Sequence, residues 1–239
     1  MTILLISVFI ICLYFRFPIA FSLGLSCLIY FIFKGTPLVV VPMKMYAGID
    51  VFVLLSIPGF IIAGNLMNHG GLTDRIVKFC NHLLGHVRGG LSYVNISASM
   101  LFAGISGTAI SDTASLGSVM IPAMKKEGYD SDFSCAVTAA SSTVGPIIPP
   151  SLPMIIAATL SGLSVGKLFL AGAIPGLLLG LGLMLVAYLI AKKKKYPKHH
   201  RSSLSQILKS FTNTFWALLM TFIILFGIVG GVFLSLIHI

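Results

Sequence analysis

The sequence predicts an all-α polytopic membrane protein whose spans include a re-entrant helical hairpin and a transmembrane helix broken by proline and glycine. Its 239 residues are 57% hydrophobic and 9% charged, against about 25% charged in an ordinary soluble domain. Mean hydropathy is +1.03. A soluble fold this apolar would lack the polar surface to cover itself, which excludes a soluble enzyme, a disordered chain and a collagen-like fibre. Two apolar stretches carry Gly, Ser, Thr and Pro at their centres, Gly104–Asp112 and Thr143–Pro153. Broken backbone at membrane depth is tolerated only where protein covers it or a water-filled cavity meets it.

Residues 1–71 read as N-terminal membrane helices. Apolar runs cover 2–15, 18–33 and 51–67, with an interfacial segment at 36–50 that holds Pro37, Pro42, Lys44 and Asp50. Pro18 suits the first turn of the second helix. Residues 72–88 differ. Leu72, Ile76, Phe79 and Leu83 alternate at helical spacing with Asp74, Arg75, Lys78 and His82, which predicts an amphipathic arm lying in the interface. Residues 89–124 are two apolar arms around GISGTAISD. Each arm is short of the roughly 20 residues that a crossing needs, so together they predict a re-entrant hairpin.

A polar loop follows at 125–132. Residues 133–165 then contain TVGPIIPPSLP. Proline removes a donor and clashes with the preceding turn, so this span is read as broken at its centre. Residues 166–233 hold two further spans around a basic loop, 192–206. The ending at 234–239, LSLIHI, is read as a tail that is not native.

Net charge is +10, from 16 basic and 6 acidic residues. In so apolar a chain this points to membrane topology and not to nucleic acid. With loop 192–206 in the cytoplasm and 89–124 a hairpin, 13 of the 16 basic residues lie inside and only Lys34, Lys44 and Lys167 outside. That bias follows the positive-inside rule and places the N-terminus in the periplasm. If 89–124 crossed once, Arg16, Arg75, Lys78 and Arg88 would move outside and the bias would weaken. Cys12, Cys27, Cys80 and Cys135 form no CxxC pair and read as small core residues.

Paired interrupted segments are the best sequence pointer to a transporter's binding site. Half-helix N-termini attract anions, and freed carbonyls hold Na⁺. Ser106, Thr108, Ser111, Ser141, Ser142, Thr143 and Ser151 add hydroxyl oxygens there. Asp112 is the acidic residue inside an apolar stretch, where a charge is costly and marks function. It also suits the N-cap of the second arm. A rival motif is Gly104-Ile105-Ser106-Gly107, which looks like the serine motif of rhomboid-type intramembrane proteases. A serine nucleophile needs a base within reach. His69, His82, His86, His199, His200 and His238 all fall outside the spans, so an intramembrane serine hydrolase is the weaker reading. No resident cofactor is expected.

GISGTAISDTASLGSVMIPAMKKEGYD, AASSTVGPIIPPS and LFLAGAIPG together resemble the large membrane subunit of TRAP transporters, the DctM-type family, from about residue 1 to Phe233. The resemblance implies half of an elevator-type transporter, with a moving transport domain and a fixed scaffold to which 168–233 would largely belong. It implies import of anionic organic acids, such as C4-dicarboxylates or sialic acid, across the bacterial inner membrane with Na⁺ as coupling ion. A small four-helix subunit of DctQ type and a periplasmic binding protein of DctP type would be its partners. An elevator transporter working without a binding protein is the nearer alternative. Gly104, Ser106, Gly107, Thr108 and Asp112 match the hairpin tip. Thr143, Gly145, Pro146, Pro149, Pro150 and Ser151 match the facing broken helix. The ion is expected near Ser106, Asp112, Thr143 and Gly145. The family's large subunit is roughly twice this length, with a second, inverted copy of hairpin and break, and this chain matches its N-terminal half.

Overall fold

A computed structural model of the chain describes residues 2–50, 58, 61, 62, 64–66, 70–199 and 201–229. Among them every regular element is a helix. The chain divides into two compact units, Met1–Val51 and Phe52–Ile239. The 51–67 run is mostly outside the described residues, and the 234–239 tail lies wholly outside them.

In the first unit α1 (Thr2–Tyr14) packs on α2 (Ile19–Lys34), and α3 (Val40–Ile49) follows. The buried positions of the pair are small: Cys12, Ser22 and Ser26. Small residues let helices approach closely in lipid, where van der Waals contact replaces the hydrophobic drive between spans. Ser26 donates its hydroxyl to Ser22 O at 2.6 Å, so neither helix carries a bare polar group inward. Pro18 precedes α2 at its cap position, and Gly35 ends it in the left-handed region.

The second unit is built around α5 (Gly90–Ser106), which packs against α4 (Leu72–Leu84), α6 (Ala109–Lys126), α7 (Ser131–Ser142) and α9 (Val165–Lys194). Val94, Ile96 and Phe102 of α5 meet Leu116, Met120 and Met124 of α6 in a core closed to solvent. The arm α4 turns Thr73, Ile76 and Cys80 inward and leaves Asp74, Arg75 and Lys78 exposed. Burial pushes the Cys80 thiol up to about 12, which leaves it an inert packing group.

Only Gly107 and Thr108 separate α5 from α6, so the second arm folds straight back along the first. At 17 and 18 residues the arms rise about 26 Å each. The later interruption runs from the end of α7 at Ser142 to the start of α8 (Leu152–Ser161). Pro153 belongs not to the break but to the first turn of α8, where its missing N–H has no intrahelical partner to lose.

Among the described residues, α9 is the helix both long and apolar enough to cross a bilayer. Its glycines set where it packs. A Cβ on Gly172 would meet Ile147 O at 2.7 Å, one on Gly176 would meet Ile148 Cγ1 at 2.6 Å, and one on Gly180 would meet Met100 Sδ at 2.4 Å. Three glycines at four-residue spacing thus seat α9 on the break and on α5. α9 therefore touches both the hairpin and the break, and it also packs on the last helix. The last helix, α10 (Leu204–Val229), packs on α4 and α9.

Both feet of the hairpin meet the segment after α9. Gly89 N donates to Pro197 O at 3.0 Å. Just past α6, Asp130 accepts from Lys194 Nζ and, at 2.9 Å, from Tyr196 Oη. Glu127 Oε2 lies 2.7 Å from His199 Nε2. Tyr196 also stacks on Tyr129 with ring centroids 4.3 Å apart, and burial pushes the Tyr129 hydroxyl up to about 12.

Candidate functional site

The two interrupted segments meet. Gly107 ends α5 at φ 59°, a left-handed conformation that a glycine adopts without penalty. A Cβ there would stand 2.9 Å from Pro150 O and 3.1 Å from Leu152 N. Leu152 N donates to Gly107 O. On the other side, a Cβ on Gly145 would lie 3.2 Å from Ser142 O and 3.5 Å from Thr108 O. The tip and the break therefore touch backbone to backbone, which explains glycine at both positions.

Each interruption restarts with a hydroxyl cap. Thr108 Oγ1 accepts from Ser111 N at 3.3 Å and opens α6. Ser151 Oγ accepts from Met154 N at 3.3 Å, opens α8, and donates to Pro146 O at 2.6 Å. These caps satisfy donors that the first turn leaves orphaned. Pro149–Pro150 is a cis peptide inside the break. The result is two helix N-termini, those of α6 and α8, side by side, with the C-terminal ends of α5 and α7 behind them.

A cleft of about 430 Å³ opens in front, lined by Asn65, Ser106, Thr108, Ser111, Ser115 and Leu152 among others. Residues of both helix starts are among its lining, Thr108 and Ser111 for α6 and Leu152 for α8, together with the apolar Ile61, Ile110 and Ala114. Helix N-termini carry partial positive charge that favours an anion.

Asp112 lies elsewhere. The cap of α6 is Thr108, so Asp112 does not cap its arm, and its side chain points inward, fully buried. The hydroxyls of Ser99 and Ser142 are its polar neighbours. Their protons are given away, Ser99 to Ser141 Oγ at 2.9 Å and Ser142 to Thr138 O at 2.8 Å. Among the described residues neither carboxylate oxygen of Asp112 receives a hydrogen bond of full geometry, though the Ser99 and Ser142 hydroxyls stand against it. A seam of polar side chains continues beneath, where Asn95 Nδ2 donates to Thr138 Oγ1 at 2.7 Å and Asn95 Oδ1 is left without a donor.

Of the residues expected at the ion, Ser106 and Gly145 lie at the contact of tip and break, and Asp112 lies one layer beneath. Thr143 is exposed and donates back to Ala140 O at 2.7 Å. Gly104 is buried in the last turn of α5. Asn95, Ser99 and Thr138 were not singled out in the sequence. Their signal was present as polar residues four apart, Asn95 and Ser99 on one arm and Ser134 and Thr138 on the next helix.

The family model for the DctM component of tripartite ATP-independent periplasmic transporters matches residues 6–236. The chain belongs to this family. The sialic acid TRAP transporter permease protein SiaT of Haemophilus influenzae is 43% identical over 227 residues, covering 95% of this chain and 37% of that protein. The sialic acid TRAP large permease SiaM of Vibrio cholerae is 43% identical over 217 residues, 90% of this chain and 51% of that one. The C4-dicarboxylate TRAP large permease DctM of Pseudomonas aeruginosa is 41% identical over 213 residues, 89% and 50%. The chain spans about half or less of these relatives. A DctM component is membrane-integral, in keeping with α9. The relatives are named as permeases, and among the described residues Ser106, the nucleophile of the hydrolase alternative, bonds to the backbone of Thr108 and not to a histidine. This is a transporter family, not an enzyme.

Proposed function

We propose that this chain forms the first half-site of a Na⁺-coupled, binding-protein-dependent importer of anionic organic acids in a bacterial inner membrane. One observation carries the reading: two interrupted helices restart side by side, and residues at the start of both line a single cleft. An acid's carboxylate is the ligand that such paired ends favour. The sialic acid and C4-dicarboxylate relatives suggest which acids to test first.

The cation sits behind the anion. Asp112 supplies the negative charge, the hydroxyls of Ser99 and Ser142 beside its carboxylate supply neutral oxygens, and Ser106 and the Gly145 backbone add theirs from the contact of tip and break. Hard cations prefer such ligands. Na⁺ bound there draws the tip and the break together and orders the cleft for substrate. The hairpin is re-entrant, and it moves as an elevator with the break and with α9, because the glycine contacts leave α9 no room to slide past them. A periplasmic binding protein delivers the acid, and a small four-helix subunit braces the scaffold.

The test is uptake of labelled sialic acid and of a labelled C4-dicarboxylate by the full-length subunit and its partners in proteoliposomes. Losing a charged ligand costs about 1.5–3 kcal/mol, so Asp112→Asn is expected to raise the Na⁺ concentration for half-maximal uptake by about tenfold or more. Ser106→Ala is expected to raise it less. Unchanged Na⁺ dependence in both variants would overturn the site. Uptake by the wild type without a Na⁺ gradient would overturn the coupling.

A further inference from the structure

A second cleft, of about 360 Å³, lies between the arm α4 and the start of α10, away from the tip and the break. Arg75, Lys78, Ser210, Asn213 and Thr214 line it. The two helices are fastened on either side of it. Thr214 Oγ1 reaches Arg75 O at 3.3 Å and Ser210 O at 2.9 Å, and the Phe79 and Phe211 rings lie 5.9 Å apart. The cleft is therefore a fixed feature of the α4–α10 contact.

Its chemistry is one-sided. Arg75 and Lys78 stand three residues apart on α4, exposed, and neither is among the ion pairs formed by the described residues. Ser210 and Asn213 bring a hydroxyl and an amide. The nearest carboxylate on the same helix, Asp74, lines the neighbouring cleft with Thr73 and Ser118. Two cations and two neutral donors around one space make a receptor for a phosphate group.

The depth of the cleft selects the source of that phosphate. Up to Thr214, α10 is rich in polar residues, with Ser205, Gln206, Lys209, Ser210, Thr212 and Asn213. From Phe215 it turns apolar, and Trp216, the only tryptophan in the sequence, is 75% exposed. A tryptophan at that junction marks the headgroup level of a bilayer. The arm α4, with its apolar face turned inward, is fastened to α10 at Thr214, just before that junction. We infer that this cleft binds the headgroup phosphate of an anionic phospholipid and so fastens the arm to the membrane. The inference rests on the chain's being membrane-embedded and not on its transport role, since its test reads lipid retention and not uptake.

The test uses the full-length subunit in detergent, with native mass spectrometry counting retained dioleoylphosphatidylglycerol and dioleoylphosphatidylcholine. A basic residue near an anionic lipid contributes enough that Arg75→Gln or Lys78→Gln should each weaken phosphatidylglycerol retention by about fivefold, and the pair by about twentyfold or more. Lys78→Arg should restore it, Lys192→Gln with Lys193→Gln should leave it unchanged, and phosphatidylcholine should bind equally weakly to all. Helicity by circular dichroism separates lost binding from lost fold. Equal retention of both lipids by the wild type, or no effect of the paired variant, would overturn the inference. Displacement of the lipid by millimolar inorganic phosphate would make the cleft a phosphate site and overturn the lipid assignment. Loss of the small membrane subunit from the paired variant, with lipid retention intact, would make it a protein contact and overturn it as well.

Discussion

Asn95 sits fully buried in an apolar stretch of α5 and gives its amide proton to Thr138 Oγ1. Thr138 in turn donates to Ser134 O at 2.8 Å. This pair ties the first arm of the hairpin to the helix that leads into the break. Thr138→Val would leave the Asn95 amide only the weakly accepting Met124 sulfur, 3.8 Å away, in a closed interior, at a cost of about 1–3 kcal/mol. Replacing both partners, in Asn95→Leu with Thr138→Val, removes the stranded group and is expected to recover most of that loss. Thermal melts of the three proteins in detergent check it, and additive losses would show that the pair is not coupled. Asp112 was legible in the sequence because an acid in an apolar run is conspicuous. Asn95 and Ser99 were not, because single polar residues in a membrane helix are common and only the fold shows that they face Thr138 and Ser141.

The interrupted segments were legible as elements because their chemistry is local. Glycine and proline at 104–112 and 143–153 say that the helices break there, whatever packs on them, while the restart of α6 falls at Thr108 and not at Asp112, the cap that the sequence suggested. What packs on them was not legible. The three glycines of α9 look like any small residues of a membrane helix until Ile147, Ile148 and Met100 are seen against them. Gly182, on the same helix, has nothing within 4 Å of a built Cβ. The two sites therefore separate helix propensity from packing. Gly182→Ala is expected to be neutral or stabilising by up to about 1 kcal/mol. Gly172→Ala has the same propensity gain but must push Met154 and the Ile147 carbonyl aside, and is expected to destabilise by about 1–3 kcal/mol. Melting temperatures of the two variants check this, and the same sign in both would remove the glycine contacts as the reason α9 sits on the break.

At the scale of the whole second unit, one end gathers the feet of the hairpin and the segment after α9. The hydrogen bond from Lys194, and then that from Tyr196, holds the Asp130 carboxyl below its ordinary value. The group is more acidic in the fold than unfolded, so its contribution is complete above the ordinary carboxylate value of about 4 and is lost as pH falls through its lowered native value. Asp130→Asn is expected to be loosened already at pH 7 and to lose the wild type's extra acid sensitivity below about pH 4, read as melting temperature against pH. The same gathering of chain bears on topology. Basic-residue counting favoured a hairpin over a single crossing of 89–124 only by a margin. Here Gly89 is bonded to Pro197, and Glu127 and Asp130 are bonded to His199 and Lys194. The two feet of the segment thus lie together at the same short stretch, the arrangement that a re-entrant hairpin requires, and α9 rises about 45 Å from Val165 to reach it. Single cysteines at Arg88, Lys126, Lys198 and Lys167, in a background without Cys12, Cys27, Cys80 and Cys135, turn this into a measurement with a membrane-impermeant maleimide. Positions 88, 126 and 198 are expected to react from the cytoplasmic face and position 167 from the periplasmic face. Opposite faces for 88 and 126 would mean that the arms cross in sequence, and the contacts at Pro197 and Lys194 could not then both form within one bilayer.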